Sequence, residues 1–193
     1  MPAIIWRSQI GAEVQICSVK EKPNQREIIG VVFSELDGQP LDVSFVITTD
    51  PEWFTQKVTV QQDYNGRHQV LELTVDGERR WYKNGLEDPG LRGCVYVDLG
   101  ITPATNSLQI KQLRLEPGKS ETVLAAWVRF PALTVEKASQ RYSQLGGNRV
   151  EYQNGSYAAE LALDEDGFIV RYADLWELVG KTGVKDILLD KKL

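Results

Sequence analysis

Apolar and polar residues alternate along most of this chain. Leu41, Val43, Phe45 and Ile47 are interleaved with Asp42, Ser44 and Thr48. Leu71, Leu73 and Val75 flank Glu72 and Thr74, and Tyr157, Ala159, Leu161 and Leu163 flank Ala158, Glu160 and Ala162. Phe168, Val170 and Tyr172 alternate with Ile169 and Arg171. Side chains on a strand point to opposite faces in turn, so each run predicts a strand with one buried face. Between the runs stand Asp37-Gly38, Asn65-Gly66, Asp76-Gly77, Asn84-Gly85, Gly146-Gly147, Asn154-Gly155 and Asp166-Gly167. Such pairs tolerate the positive φ that tight hairpin turns demand. The pattern predicts antiparallel hairpins in series, about a dozen strands by this template. So many twisted strands must curl, split into layers or close. The expected architecture is mainly β, a large curved antiparallel sheet or incomplete barrel with few short helices.

Helical signal is thin. Ala173 to Val179 places Leu175, Leu178 and Val179 at helical spacing before Gly180, and a second short helix is allowed near Ala104 to Leu108. Residues 1–180 read as one β-rich domain and 181–193 as a weakly patterned tail. Two segments, Cys94 to Leu99 and Val123 to Phe130, are apolar on both faces and need cover on both. Either they are central strands in packed core, or one face lines an apolar ligand cavity. Trp127, flanked by Ala125 and Ala126, belongs to one of those two situations. Between the segments, Gly100 leads into Thr102-Pro103-Ala104-Thr105-Asn106. Pro103 pushes Thr102 out of helical geometry, and Leu108 and Ile110 lie out of phase with Leu113 and Leu115. This suggests a corner between strands with a β-bulge near Lys111 or Gln112. The corner is either a set of side-chain caps or a polar rim at the mouth of an apolar space.

Composition narrows the classes. The 193 residues carry 22 Lys and Arg against 27 Asp and Glu, a net charge of −5, which argues against a broadly basic nucleic-acid surface. One histidine, His68, cannot build a site needing several imidazole ligands, and it falls on an apparent strand surface. Cys17 and Cys94 form no CxxC pair, and both are expected to be reduced. The opening MPAIIWRSQI lacks the features of a signal peptide, and no run approaches the ~20 apolar residues of a transmembrane helix. A cytoplasmic location, without cofactor or metal, is the expectation.

Local motifs add little. Gly180-Lys181-Thr182-Gly183 would need a glycine at the position of Leu175 to complete a phosphate-binding loop. Asn154-Gly155-Ser156 reads as a turn, and Asp164-Glu165-Asp166 lacks the spaced ligands of a calcium loop. Asp98 is the unusual acid, because it lies within a doubly apolar strand. It either caps the following turn through backbone hydrogen bonds or serves as a buried general base.

Several stretches resemble the bacterial putative glycolipid-binding family, a former domain of unknown function. They are Trp6-Arg7, CVYVDLGITPATNSLQIKQLRL from Cys94, AAWVRFPALTVE from Ala125, Gln140-Arg141-Tyr142 with Leu145, and DGFIVRYADLW from Asp166 to Trp176. They span the chain to about Val179. Gln109 stands where the family pattern often has proline, and the tail after Gly180 has no counterpart. The resemblance implies a curved antiparallel sheet similar to lipoprotein-carrier folds, wrapped around an apolar cavity that takes a lipid or glycolipid. The walls expected for an acyl chain are Tyr96, Leu99, Trp127, Val128 and Phe130. Arg129, Thr102, Thr105 and Asn106 are the candidates for a polar head. Two alternatives remain: a hydrolase or isomerase of an apolar substrate using Asp98, and a protein-interaction module docking through a sheet edge or apolar face.

Overall fold

A computed structural model describes residues 2–183. The first half is a meander of long hairpins: β1 (Pro2–Ser8), β2 (Val14–Lys22), β3 (Gln25–Leu36), β4 (Gln39–Thr49), β5 (Thr55–Tyr64) and β6 (Arg67–Val75), then the short β7 (Trp81–Lys83) and β8 (Leu86–Glu87). After a single 3₁₀ turn at Pro89–Leu91 come β9 (Tyr96–Leu99) and the helix α1 (Ala104–Leu113). A second meander follows: β10 (Ser120–Arg129), β11 (Thr134–Gly146), β12 (Arg149–Asn154), β13 (Tyr157–Leu163), β14 (Ile169–Tyr172) and β15 (Trp176–Gly183).

All the strands join one curved, 15-stranded sheet in the order β8-β7-β6-β5-β4-β3-β2-β1-β15-β14-β13-β12-β11-β10-β9. The first and last strands pair antiparallel at its middle. Every ladder is antiparallel except β9–β10. A parallel pair needs a crossover, and α1 supplies it. The sheet is not closed into a barrel, yet its β9 end is held by the other arm. Trp81 Nε1 donates to the Cys94 carbonyl at 2.9 Å, and the Val97 N–H donates to Thr55 Oγ1 at 3.0 Å.

The period-two pattern sets the inner face. Leu41, Val43, Phe45 and Ile47 are all buried, as are Leu71, Leu73, Ala159 and Leu161. Asp37-Gly38, Asn65-Gly66 and Asn84-Gly85 take positive φ at both residues, as expected of type I′ hairpins. At Asp76 the turn is wider. The carboxylate accepts the N–H groups of Glu78 and Arg80, and positive φ falls on Arg79. Cys17 and Cys94 are buried and free. Burial pushes the Cys17 thiol up to about 12 and that of Cys94 to about 11. No helix among the described residues is long and apolar enough to cross a membrane.

Three local expectations are corrected. Ala173 to Val179 is not a helix. Ala173 takes φ 43°, Leu175 closes a turn on the Tyr172 carbonyl, and Trp176 begins β15. Pairing with β1 and β14 on both sides outweighs the local helical spacing. Lys181 to Gly183 extend β15 and so belong to the sheet; the rest of the expected tail, 184–193, lies outside the described residues. The helix at Ala104 runs to Leu113, so Lys111 and Gln112 are helical and form no β-bulge.

Candidate functional site

The helix α1 begins where Thr102 Oγ1 accepts the Ala104 N–H at 3.1 Å, and it ends at Arg114 in the left-handed region. Its first turns bury Thr105, Asn106, Ser107 and Gln109. A polar stretch tolerates such burial only when its groups find partners. Ser107 Oγ accepts the Ile169 N–H at 3.3 Å, and Thr105 Oγ1 accepts that of Leu99 at 3.3 Å. Gln109 is the exception, since its side-chain amide is buried with no hydrogen-bond partner among the described residues.

Asp98, on β9, is the centre of this polar layer. Thr105 Oγ1 donates to its Oδ1 at 2.9 Å, and Gln140 Nε2, from β11, donates to Oδ2 at 2.5 Å. Tyr142 on the same strand donates to Gln140 Oε1 at 3.4 Å and accepts from Asn106 Nδ2 at 2.9 Å. Thr102 donates to Gln15 Oε1 at 2.5 Å, which ties the corner to β2. Burial raises the pKa of Asp98, and the bonds from Gln140 and Thr105 oppose the rise without cancelling it.

Beside this layer lies a cavity of about 310 Å³. Asp98, Thr102, Asn106 and Asn154 contribute polar groups to its lining. Much of the rest is aromatic: Trp127, Tyr152, Tyr157, Tyr172 and Trp176. Tyr152 ties the tyrosines together, with its ring 5.3 Å from Tyr142 and 6.2 Å from both Tyr157 and Tyr172. Burial pushes the Tyr152 and Tyr172 phenols up, so they stay neutral hydroxyls. Gly100 and Tyr157 are exposed at the opening. A Cβ on Gly100 would stand 2.7 Å from Trp127 Nε1, so glycine lets the indole lie against the corner.

Of the residues singled out in the sequence, Asp98, Leu99, Thr102, Asn106 and Trp127 meet at this cavity. Thr105 stands behind Asp98 and reaches the cavity only through it. Tyr96 turns elsewhere, stacking on Phe54 at 5.8 Å and donating to Gln112. Arg129 is exposed, its guanidinium 4.9 Å from the Trp127 ring centre and paired with Glu136 at 3.4 Å. Val128 is fully buried and Phe130 packs against the core; neither lines the cavity. His68 is exposed beside Asp63. Among the described residues no cluster of His, Cys, Asp and Glu is suited to a metal ion. Sequence reasoning missed Tyr152, Tyr157, Tyr172 and Trp176 as a wall. Trp176 fell within the expected helix, and the register of β12–β15, which pairs Tyr152 with Ala159, Leu161 with Tyr172 and Tyr172 with Trp176, puts the four rings on one face.

The structure is similar to the crystal structure of a DUF1089 family protein from Pseudomonas aeruginosa, with a TM-score of 0.74 and 25% identity, covering 84% of this chain and 91% of that one. No curated protein matches the chain. The family model described as "Putative glycolipid-binding" matches residues 3–177, nearly all that the structure describes, and the chain belongs to that family.

Proposed function

We propose that this chain binds a lipid or glycolipid, and that the cavity between α1 and strands β12–β15 is the binding site. The observation that carries this reading is the cavity itself: about 310 Å³, open to solvent, and lined by aromatic rings together with a few polar groups. Ligand sites are concave, largely apolar and furnished with a few convergent polar groups. Membership of the family supports the same ligand class. Native mass spectrometry of the protein purified from its own cells tests the reading directly. A co-purifying lipid mass is expected, and its loss from Trp127→Ala locates it. Trp127 is half-buried and lines the cavity. Its truncation is therefore expected to cost about 1–2 kcal/mol in urea unfolding, below the ~3–5 of a packed core tryptophan. A larger loss of stability would return Trp127 to the core and remove it from the site.

A second reading rests on Asp98. It faces the cavity, and burial raises its pKa, as a general base requires. Both oxygens already accept hydrogen bonds from Thr105 and Gln140, which suits holding a ligand as well as moving a proton. Turnover of an identified ligand, abolished by Asp98→Asn, would favour this reading over simple binding.

A further inference from the structure

The two ends of an amphiphile ask for different surroundings, and the cavity's lining discriminates between them. We infer that the cavity receives the neutral, hydroxyl-bearing head of the ligand, a hexopyranose-type sugar ring, and that the alkyl chain leaves it past Tyr157 and Leu175. This rests on the reading of the cavity as the ligand site.

Three observations carry it. The first is unspent hydrogen-bonding capacity inside the cavity. Asn106 is only 4% exposed and donates through Nδ2 to Tyr142, while its amide oxygen accepts no hydrogen bond among the described residues. Asp98 accepts one bond at each oxygen, and a carboxylate oxygen can take a second. An alkyl chain pressed on these groups would leave them unpaired, whereas sugar hydroxyls would satisfy them.

The second is charge. Among the described residues no Lys, Arg or His lines the cavity, and the one carboxyl there is Asp98. A phosphate or fatty-acid carboxylate placed there would meet a carboxyl without a compensating cation. Arg129, the nearest candidate from the sequence, lies exposed against the Trp127 ring and Glu136. The head that fits is uncharged.

The third is shape. At about 310 Å³ the cavity has room for one sugar ring with its hydroxyls. Trp127 and the tyrosines bring aromatic rings to the lining, and aromatic faces suit the weakly positive C–H groups of such a ring. At the opening, Leu175 is half-buried and Tyr157 is 42% exposed, an apolar sill for a departing chain.

The test is titration of the full chain, by tryptophan fluorescence and calorimetry, with three sets of probes below their micelle concentrations. These are methyl hexopyranosides of gluco, galacto and manno configuration, the matching octyl glycosides, and octanoate. At least one octyl glycoside is expected to bind ten-fold or more tighter than octanoate, with its methyl glycoside competing for the same site. Asp98→Asn is expected to weaken glycoside binding at least ten-fold. Asp98 also holds Gln140 and Thr105, so Tyr157→Ala, at an exposed ring, is measured beside it and is expected to weaken glycosides several-fold. Octanoate binding as tightly as every glycoside, or glycoside affinity unchanged in both variants, overturns the inference while leaving lipid binding standing. Absence of binding by all three sets overturns the inference together with the reading it rests on.

Discussion

Asp98 is the buried acid at the centre of the polar layer between β9, α1 and β11. Its carboxyl is buried, and desolvation raises its pKa against the two hydrogen bonds it receives. A folded-state pKa above the unfolded one means that the fold prefers the protonated acid. The associated stability is fully present below the unfolded pKa and is lost as pH rises through the folded one. Asp98→Asn removes that titration. Its amide can still accept from Thr105, and it can donate to Gln140 once the Gln140 amide turns over. The variant is expected to be more stable than the parent at neutral pH, with the gap narrowing as pH falls toward ~4. Urea unfolding across that range checks the sign. A gap that widens toward acid would contradict it.

Among the elements, β3 and β4 show a close fit that alternation alone does not require. Gly30 pairs with Phe45 across the ladder, and a Cβ at Gly30 would stand 2.3 Å from the Phe45 Cζ. The buried ring lies over the glycine, filling space that a side chain would otherwise take. Gly30→Ala is expected to destabilise by about 1–3 kcal/mol through overpacking, and the cost should shrink in a Phe45→Leu background. A double-mutant cycle in denaturant measures that coupling, and strict additivity would show that the ring is not what resists. The α1 element teaches the reverse lesson. Its buried turns set Thr105, Asn106, Ser107 and Gln109 among Ala104 and Leu108, so no clean apolar stripe announces them, and hydrogen bonds to β9, β11 and β14 help hold the helix.

At the scale of the whole molecule, the sheet's β9 end is held by single contacts in place of a ladder. Thr55 Oγ1 takes the buried Val97 N–H, and Trp81 caps the Cys94 carbonyl. Thr55→Val keeps the shape and deletes the acceptor. It is expected to cost about 1–3 kcal/mol, the penalty of leaving a buried N–H unpaired. Denaturant unfolding reads the loss, and native hydrogen exchange should show faster exchange at Val97 than in the central strands β2–β4. Equal protection at both places would mean that the two arms are not joined through Thr55. The curvature fastened by these contacts also brings Trp127 of β10 and Trp176 of β15 to one cavity.

Much of this was legible along the chain. Alternation in Leu41 to Ile47 and Leu71 to Val75 determined strands and their inner face, because a strand's two faces repeat every second residue whatever it packs against. Asn65-Gly66 and its counterparts determined where hairpins turn, because the backbone there needs positive φ. The specific stretch around DLGITPATN pointed to the family and placed Asp98, Thr102 and Asn106 among the site candidates. Tertiary structure decided what local pattern could not carry. Ala173 to Val179 has helical spacing, yet pairing on two edges makes it turn and strand. Ala104 to Leu113 lacks an amphipathic stripe, yet it is helix, because Thr105, Asn106 and Ser107 find hydrogen-bond partners up to 62 residues distant. Tyr152, Tyr157 and Tyr172 line one cavity because the pairing register of β12, β13 and β14 puts them on one face, and register is a property of the paired strands rather than of any segment alone.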